Sequence, residues 1–191
     1  AVMAQRTESA DSLDDFPTPL GATRTFIENI LGGRDATSAL HVLEPACGRG
    51  HMSRPLAEFF GQVTSSDVFD YGFAPVQNFL TEPRDDKSVD WMITNPPFKA
   101  AEEFVNEGFR IARVGVAILT RTVFIESIGR YERLFSQRPP AIIAQYTERV
   151  PMVKGRIDKT ASTATGYCWL VWNPMPIGHT DLVWIPPSRK K

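Results

Sequence analysis

Cysteine is scarce in this chain. Cys47 and Cys168 form no C-x-x-C, and the three histidines, His41, His51 and His179, are scattered. No metal-ligand spacing is present, so a metal site is not expected. Two unpaired thiols suit a reducing, cytoplasmic setting. Long apolar runs are also missing: no stretch approaches the ~20 residues of a membrane span, so no membrane partner is expected. Residues 1–15 are polar and acidic with no apolar core, which argues against a secretory signal and for a disordered segment. There are no internal repeats and no linker. Net charge is nearly absent too, at −1.

What remains is an ordinary globular composition. The chain has 191 residues, 42% apolar and 23% charged, enough for one domain with a full core. Its charge is unevenly spread. From residue 121 onward there are 11 Lys/Arg against 5 Asp/Glu, so the preceding part carries the acidic excess. Such asymmetry is a weak pointer to a polyanionic partner, and ordinary solvated faces would produce it equally well.

Along the chain, strand-like and helix-like patterns alternate. Phe16-Pro17-Thr18-Pro19 opens a first helix, with Thr18 suited to the N-cap and Pro19 to the first turn. That helix ends at Gly32-Gly33. A strand over 40–43 runs into Glu44-Pro45-Ala46-Cys47-Gly48-Arg49-Gly50, whose two glycines allow a tight turn with close backbone approach to a ligand. A helix starting near Ser53 follows. The strand 62–66 then ends in Asp67, an acid placed to bind ribose hydroxyls, with Asp70 a close competitor. After the polar stretch 81–88 come a strand over 89–94, a helix over 100–113 and an apolar strand over 114–119. A second amphipathic helix is expected over 123–135, with Phe124, Ile128, Tyr131 and Phe135 inward. Strands at 141–146 and 167–172 and a short edge at 182–185 complete an α/β, doubly wound sheet. The closing pair, joined by a loop with no helix, should be antiparallel. That loop, 151–165, is rich in Lys, Arg, Ser and Thr and long enough to suggest a role.

The feature around which the rest is arranged is Asn95-Pro96-Pro97-Phe98, directly after the strand 89–94. Two prolines cannot continue a ladder, so the strand stops in a rigid turn at its carboxyl end, where open α/β sheets bind ligands. Asn95 offers an amide oxygen, the Pro96 carbonyl a second acceptor, Pro97 the rigidity and Phe98 a flat apolar face. Two acceptors and a ring suit a planar group that carries an exocyclic amine. Such a turn standing alone is most often only a turn.

Taken together and in this order, Phe16-Pro17-Thr18-Pro19, the Glu44–Gly50 turn, Asp67, Asn78-Phe79-Leu80 and Asn95-Pro96-Pro97-Phe98 resemble the S-adenosylmethionine-dependent amino methyltransferases. The match is best to the N6-adenine DNA methyltransferases of gamma motif order, in a compact phage-like or orphan form. The resemblance implies a Rossmann-like class I methyltransferase fold with a mostly parallel sheet and an antiparallel strand near the C-terminus. It implies S-adenosylmethionine as cofactor and nucleic acid, DNA before RNA, as partner, with the oligomeric state open. Phe16, Thr18 and Pro19 would lie over the methionine end of the cofactor, and Glu44, Ala46, Gly48 and Gly50 would border it. Asp67 would take the ribose, Val68 and Phe79 would pack on the adenine, and Asn78 would accept from its amine where the family often has Asp. Asn95 and Pro96 would hold the target amine while Phe98 stacks on the target base. No separate target-recognition domain is evident within residues 16–191. Substrate binding is therefore expected from Lys99, from Arg130 and Arg133, and from Lys154, Arg156 and Lys159 of the long loop.

Two other readings use the same residues. RNA adenine presents the same amine, and a protein glutamine amide presents the same two donors to an Asn-Pro-Pro turn. A binding module that kept only the cofactor pocket is the remaining class, and the intact Asn95–Phe98 turn argues against it.

Overall fold

The computed structural model describes residues 14–158, 164–175 and 178–187. Its centre is the strand that the prolines terminate. Val89–Thr94 (β3) is buried at five of six positions and pairs in parallel on both sides. On one side lie His41–Glu44 (β1) and then Gln62–Ser65 (β2). On the other lies Ala112–Arg121 (β4), a strand longer than its apolar run suggests. Tyr167–Trp172 (β6) is antiparallel to β4 and to Ile142–Tyr146 (β5), as the helix-free connection requires. Asp181–Ile185 (β7) runs parallel to β5 at the far edge, giving the order β2-β1-β3-β4-β6-β5-β7. The chain leaves β1 in one direction and returns to β3 on its other side. This reversal opens a crevice at the carboxyl ends of β1 and β3.

Helices cover both faces. Leu20–Ile30 (α1) and Ser53–Phe59 (α3) pack with Val42, Trp91, Ala117, Leu119 and Trp169 on one face. A short helix, Gly33–Thr37 (α2), fills the turn after Gly32, whose φ of 86° is a glycine conformation. On the other face Ala101–Ile111 (α4) packs Phe104, Val105 and Ile111 onto Met92, Val116 and Ile118. Phe26 of α1 stacks on Trp169 with ring centroids 4.0 Å apart. The Trp169 indole donates to the Tyr146 hydroxyl, which donates to the Ala22 carbonyl. Ring burial together with satisfied polar ends fixes α1, and so the residues just before it, against the sheet. Among the described residues no helix is long and apolar enough to cross a membrane.

Two expectations are corrected. The helix predicted over 123–135 is broken into a 3-10 turn, Thr122–Ile125, an α-turn, Ile128–Arg130, and a π-helical turn, Tyr131–Phe135. Extended Ser127 interrupts the chain and accepts from the Arg130 N–H, and the wide turn closes from Ser136 N to the Tyr131 carbonyl. The 3.6-residue spacing therefore fails: Phe124 and Leu134 are buried while Ile128 and Tyr131 are exposed. Residues 66–88 cross from β2 to β3 as a loop with one parallel bridge, Asp67 to Val76. Second, Asp14 and Asp15 are fixed rather than disordered. The Asp14 carboxylate accepts from the Phe98 N–H at 2.7 Å, and Asp15 pairs with Arg49 at 2.6 Å. Residues 1–13 lie outside the described residues.

Candidate active site

Asn95 is the first residue beyond β3, and its side chain is held from one end only. The amide nitrogen donates to the Phe16 carbonyl at 3.0 Å and to the Thr18 hydroxyl at 3.3 Å. Both N–H groups are thereby used, and the amide oxygen is left as an acceptor. This corrects the role of Thr18. It does not cap α1, which starts at Leu20 with Pro19 at the N-cap and no side-chain cap. It is buried and orients Asn95 instead. The turn then enters a 3-10 segment, Phe98–Ala100, closed by the Ala100 N–H on the Pro97 carbonyl.

Asn95, Phe16 and Asp14 form a wall shared by two cavities. The first, about 230 Å³, lies at the ends of β1 and β3. Phe16, Thr18, Glu44, Ala46, Gly48, Asp67, Val68, Asn78, Phe79 and Pro97 all line it. Gly48 has φ +51°, and a Cβ there would meet no protein atom within 4 Å, so the backbone faces open space. Its N–H donates to Asp67 at 2.8 Å, and the other oxygen of that carboxylate accepts from Phe69 N–H at 3.0 Å. Two backbone donors thus fix the acid at the tip of β2. Asn78 turns its amide oxygen onto Leu80 N–H at 3.1 Å, and Phe79 is buried against Phe104.

Glu44 is the most unusual group here. It is 2% exposed, and its carboxylate accepts from the Ser53 hydroxyl. Burial, reinforced by the nearby Asp67 charge and opposed by Ser53, pushes its pKa up to about 8. Burial likewise holds the Cys47 thiol up at about 12, so it is no nucleophile. His51 also lines this cavity, with its Nδ1 buried and without a partner among the described residues. Burial, then Arg54 and Arg49, keeps its imidazole neutral more readily than usual.

The second cavity, about 200 Å³, is lined by Asp14, Phe16, Asn95, Pro96, Phe98, Lys99, Thr120, Arg121 and Tyr167. Here the Arg121 guanidinium lies 3.7 Å from the centroid of the Phe98 ring, and that of Arg130 lies 5.0 Å from it. Phe124 meets the same ring edge-on at 5.9 Å.

Not every predicted residue reaches a cavity. Pro19 serves only at the head of α1. Gly50, with φ +77°, lines neither cavity; a Cβ there would come within 2.4 Å of the Phe73 ring, so packing requires the glycine. Arg133 turns away to a two-pronged pair with Glu102 at 2.8 and 2.9 Å. Lys154 and Arg156 line neither cavity, and Arg156 sits 3.4 Å from Asp158. Their loop meets the segment before α1 through the Gly155 N–H on the Asp15 carbonyl, and its Met152 is buried in the core. Lys159 lies outside the described residues. Conversely, Asp14, His51, Thr120, Arg121 and Tyr167 were not anticipated. An Arg closing an apolar strand is the one signal that could have marked Arg121.

No protein-family model and no curated protein matches this sequence. Solved structures do. A protein from Listeria monocytogenes assigned to the class I S-adenosylmethionine-dependent methyltransferases superposes with a TM-score of 0.61 at 13% identity, over 90% of this chain and 65% of that one. A protein from Vibrio vulnificus, assigned as the modification subunit of a type I restriction enzyme, gives 0.59 at 16%, over 95% and 49%. A Pyrococcus horikoshii protein assigned as an RNA methyltransferase gives 0.61 at 15%, over 84% and 88%. The chain thus spans about two-thirds and half the length of the first two. At these identities the likeness is one of fold. The chain has the Rossmann-like class I methyltransferase fold, with a mixed, mostly parallel seven-stranded sheet.

Proposed function

We propose that this chain is an S-adenosylmethionine-dependent methyltransferase acting on the exocyclic N6 amine of adenine in DNA. The observation that carries the reading is Asn95. Its nitrogen is committed to Phe16 and Thr18, and its oxygen is free at the wall between two cavities. The first cavity has the donor set the cofactor needs. Asp67 and Asn78 supply acceptors for ribose hydroxyls and an adenine amine, Val68 and Phe79 supply apolar surface, and Gly48 leaves room. The His51 Nδ1, buried without a partner among the described residues, and buried Glu44, held by Ser53 alone, can meet polar groups of a ligand in this cavity. When bound, S-adenosylmethionine supplies a methyl group already activated by its sulfonium charge, so a metal or nucleophilic side chain is not required.

The protein's part is positioning. An adenine amine is a poor nucleophile because its lone pair is delocalised into the ring. Asn95 Oδ1 and the Pro96 carbonyl accept its two hydrogens, draw the lone pair out of conjugation and aim the nitrogen across the Asn95 wall. Transfer from the bound cofactor would form the N–C bond as its C–S bond broke, leaving the thioether, and the excess proton would pass to solvent. Such orientation can supply several kcal/mol. A base inside a duplex would first be flipped out.

The likeness to a restriction-modification subunit favours DNA, and the likeness to an RNA methyltransferase keeps RNA adenine as the second reading. One assay tests both. The protein is incubated with methyl-labelled cofactor and mixed DNA and RNA, which are then digested to nucleosides. N6-methyldeoxyadenosine is expected. Label in N6-methyladenosine alone would move the substrate to RNA, and label only in an added protein substrate would reject the adenine reading.

A further inference from the structure

The cations around Phe98 form no ion pair with a carboxylate among the described residues, and the Asp14 carboxylate at this cavity is engaged by the Phe98 N–H. Among the described residues, Arg24, Arg49, Arg110, Arg113, Arg133 and Arg156 each pair with a carboxylate. Arg121 makes no such pair; it contacts the Phe98 ring, where Arg130 converges with it. Lys99 lines the same cavity. Arg130 is itself partly desolvated, which together with the charges of Arg133 and Arg121 draws its pKa down despite Glu102. Two guanidiniums against one ring and Lys99 in the same cavity outnumber the one carboxylate there, Asp14, while Glu102 is taken by Arg133, so a further negative charge would relieve their repulsion.

The sheet register puts Arg121 there. Thr94, the last residue of β3, is paired with Ile118, so Leu119, Thr120 and Arg121 overhang the Asn95-Pro96-Pro97 turn. Arg121 is in turn held against Tyr167 by the β4–β6 ladder. Backbone pairing fixes its Cα while its guanidinium keeps its donors free. A planar guanidinium matches a phosphate with two parallel N–H bonds and also stacks on aromatic faces.

We propose that Arg121 is the ligand for a phosphate flanking the target nucleotide, and that its stack on Phe98 is a resting position which the target base takes over. Entry of the base onto Phe98 displaces the guanidinium toward the nucleic-acid backbone. Arg130 and Lys99 complete the cationic surround. The proposal rests on the nucleic-acid reading above and narrows it: a glutamine amide would satisfy Asn95 but brings no anion for Arg121.

The test uses the full chain with Arg121→Ala and Arg121→Lys, assayed on an oligonucleotide that the unaltered protein methylates. Methyl transfer is followed across a salt series, and cofactor affinity serves as the folding control. Arg121→Ala is expected to raise KM about tenfold or more with kcat within about threefold, since charged hydrogen bonds are lost from binding. The log–log salt slope should flatten by about one. Arg121→Lys should keep the slope and recover part of the KM. A neutral methylphosphonate at the flanking phosphate should weaken the unaltered protein to a similar degree and Arg121→Ala no further. Unchanged KM and slope in Arg121→Ala would overturn the proposal and leave the methyltransferase reading standing. A lowered KM would also overturn it, since Arg121 would then be a plug. Failure of the unaltered protein to methylate any nucleic acid, with transfer to a protein amide, would overturn both.

Discussion

The two cavities on either side of Asn95 differ less in size than in how their charges are held. On the β1 side the acids are matched within the protein: Asp67 by two backbone N–H groups, Asp15 by Arg49, and Glu44 by Ser53. On the β4 side the cations Lys99 and Arg121 have no carboxylate bonded to them among the described residues. A pocket whose polar groups are already oriented binds a ligand of fixed shape with little reorganisation. A pocket with unmatched cations waits for a ligand that brings its own charge. The first arrangement suits a small molecule of constant structure, and the second a polyanion that varies from site to site.

The sharpest way to break this contrast is at the shared wall. Asn95→Ala removes the acceptor proposed for the target amine together with the donors to Phe16 and Thr18. Loss of a positioning group of this kind is expected to lower the single-turnover rate about 10³-fold, on the order of 4 kcal/mol. Cofactor affinity, measured calorimetrically, should change by less than about tenfold, because Asp67, Asn78 and Phe79 stay in place. A collapse of cofactor affinity in a folded variant would show that the two cavities are one site rather than two.

The cofactor side can be sharpened through Glu44. With its pKa raised from an ordinary 4.5 to about 8, the folded protein holds a proton that the unfolded chain releases. Stability therefore falls as pH rises from about 4.5 to about 8, on the order of 5 kcal/mol in all. Glu44→Gln should flatten that limb in urea titrations at pH 5, 6.5 and 8. A cationic ligand group beside the ionised carboxylate would reverse the cost, so cofactor affinity should rise with pH toward 8 in the unaltered protein. A stability curve already flat across this window would mean that Glu44 is ionised without help.

What the sequence made legible tracks how local each determinant is. The strand 89–94 was read to the residue, because an apolar run stopped by two prolines needs no distant partner. Nine of the residues named for the cofactor line the first cavity for a similar reason, since glycine turns and strand-end acids fall into place once a parallel sheet forms. Thr18 was misjudged because Ser, Thr and Pro before a helix have the same look whether they cap it or bind something else. Only the tertiary contact with Asn95, far along the chain, decides between them. Arg121 was invisible as a site residue because its place beside Phe98 comes from the pairing of β3 with β4, which no local pattern encodes.

Arg133 offers the smallest effect and the cleanest negative control for the target side. It resembles Arg121 and Arg130 in the sequence, standing among aromatics in the same basic half. Its guanidinium is nevertheless matched by both oxygens of Glu102, and its side chain is 64% exposed. An exposed pair of this kind contributes little to stability and less in high salt. Its charge is also compensated locally, so a phosphate gains little by approaching it. Arg133→Ala should therefore leave both the salt slope of substrate binding and the urea midpoint of unfolding nearly unaltered. Freed from its partner, Glu102 should then pull on Arg130, the neighbouring cation whose pKa its charge already raises. If Arg133→Ala flattened the slope as much as Arg121→Ala, the cationic surface would extend over the π-helical turn, and substrate backbone would track away from Phe98 along residues 131–138.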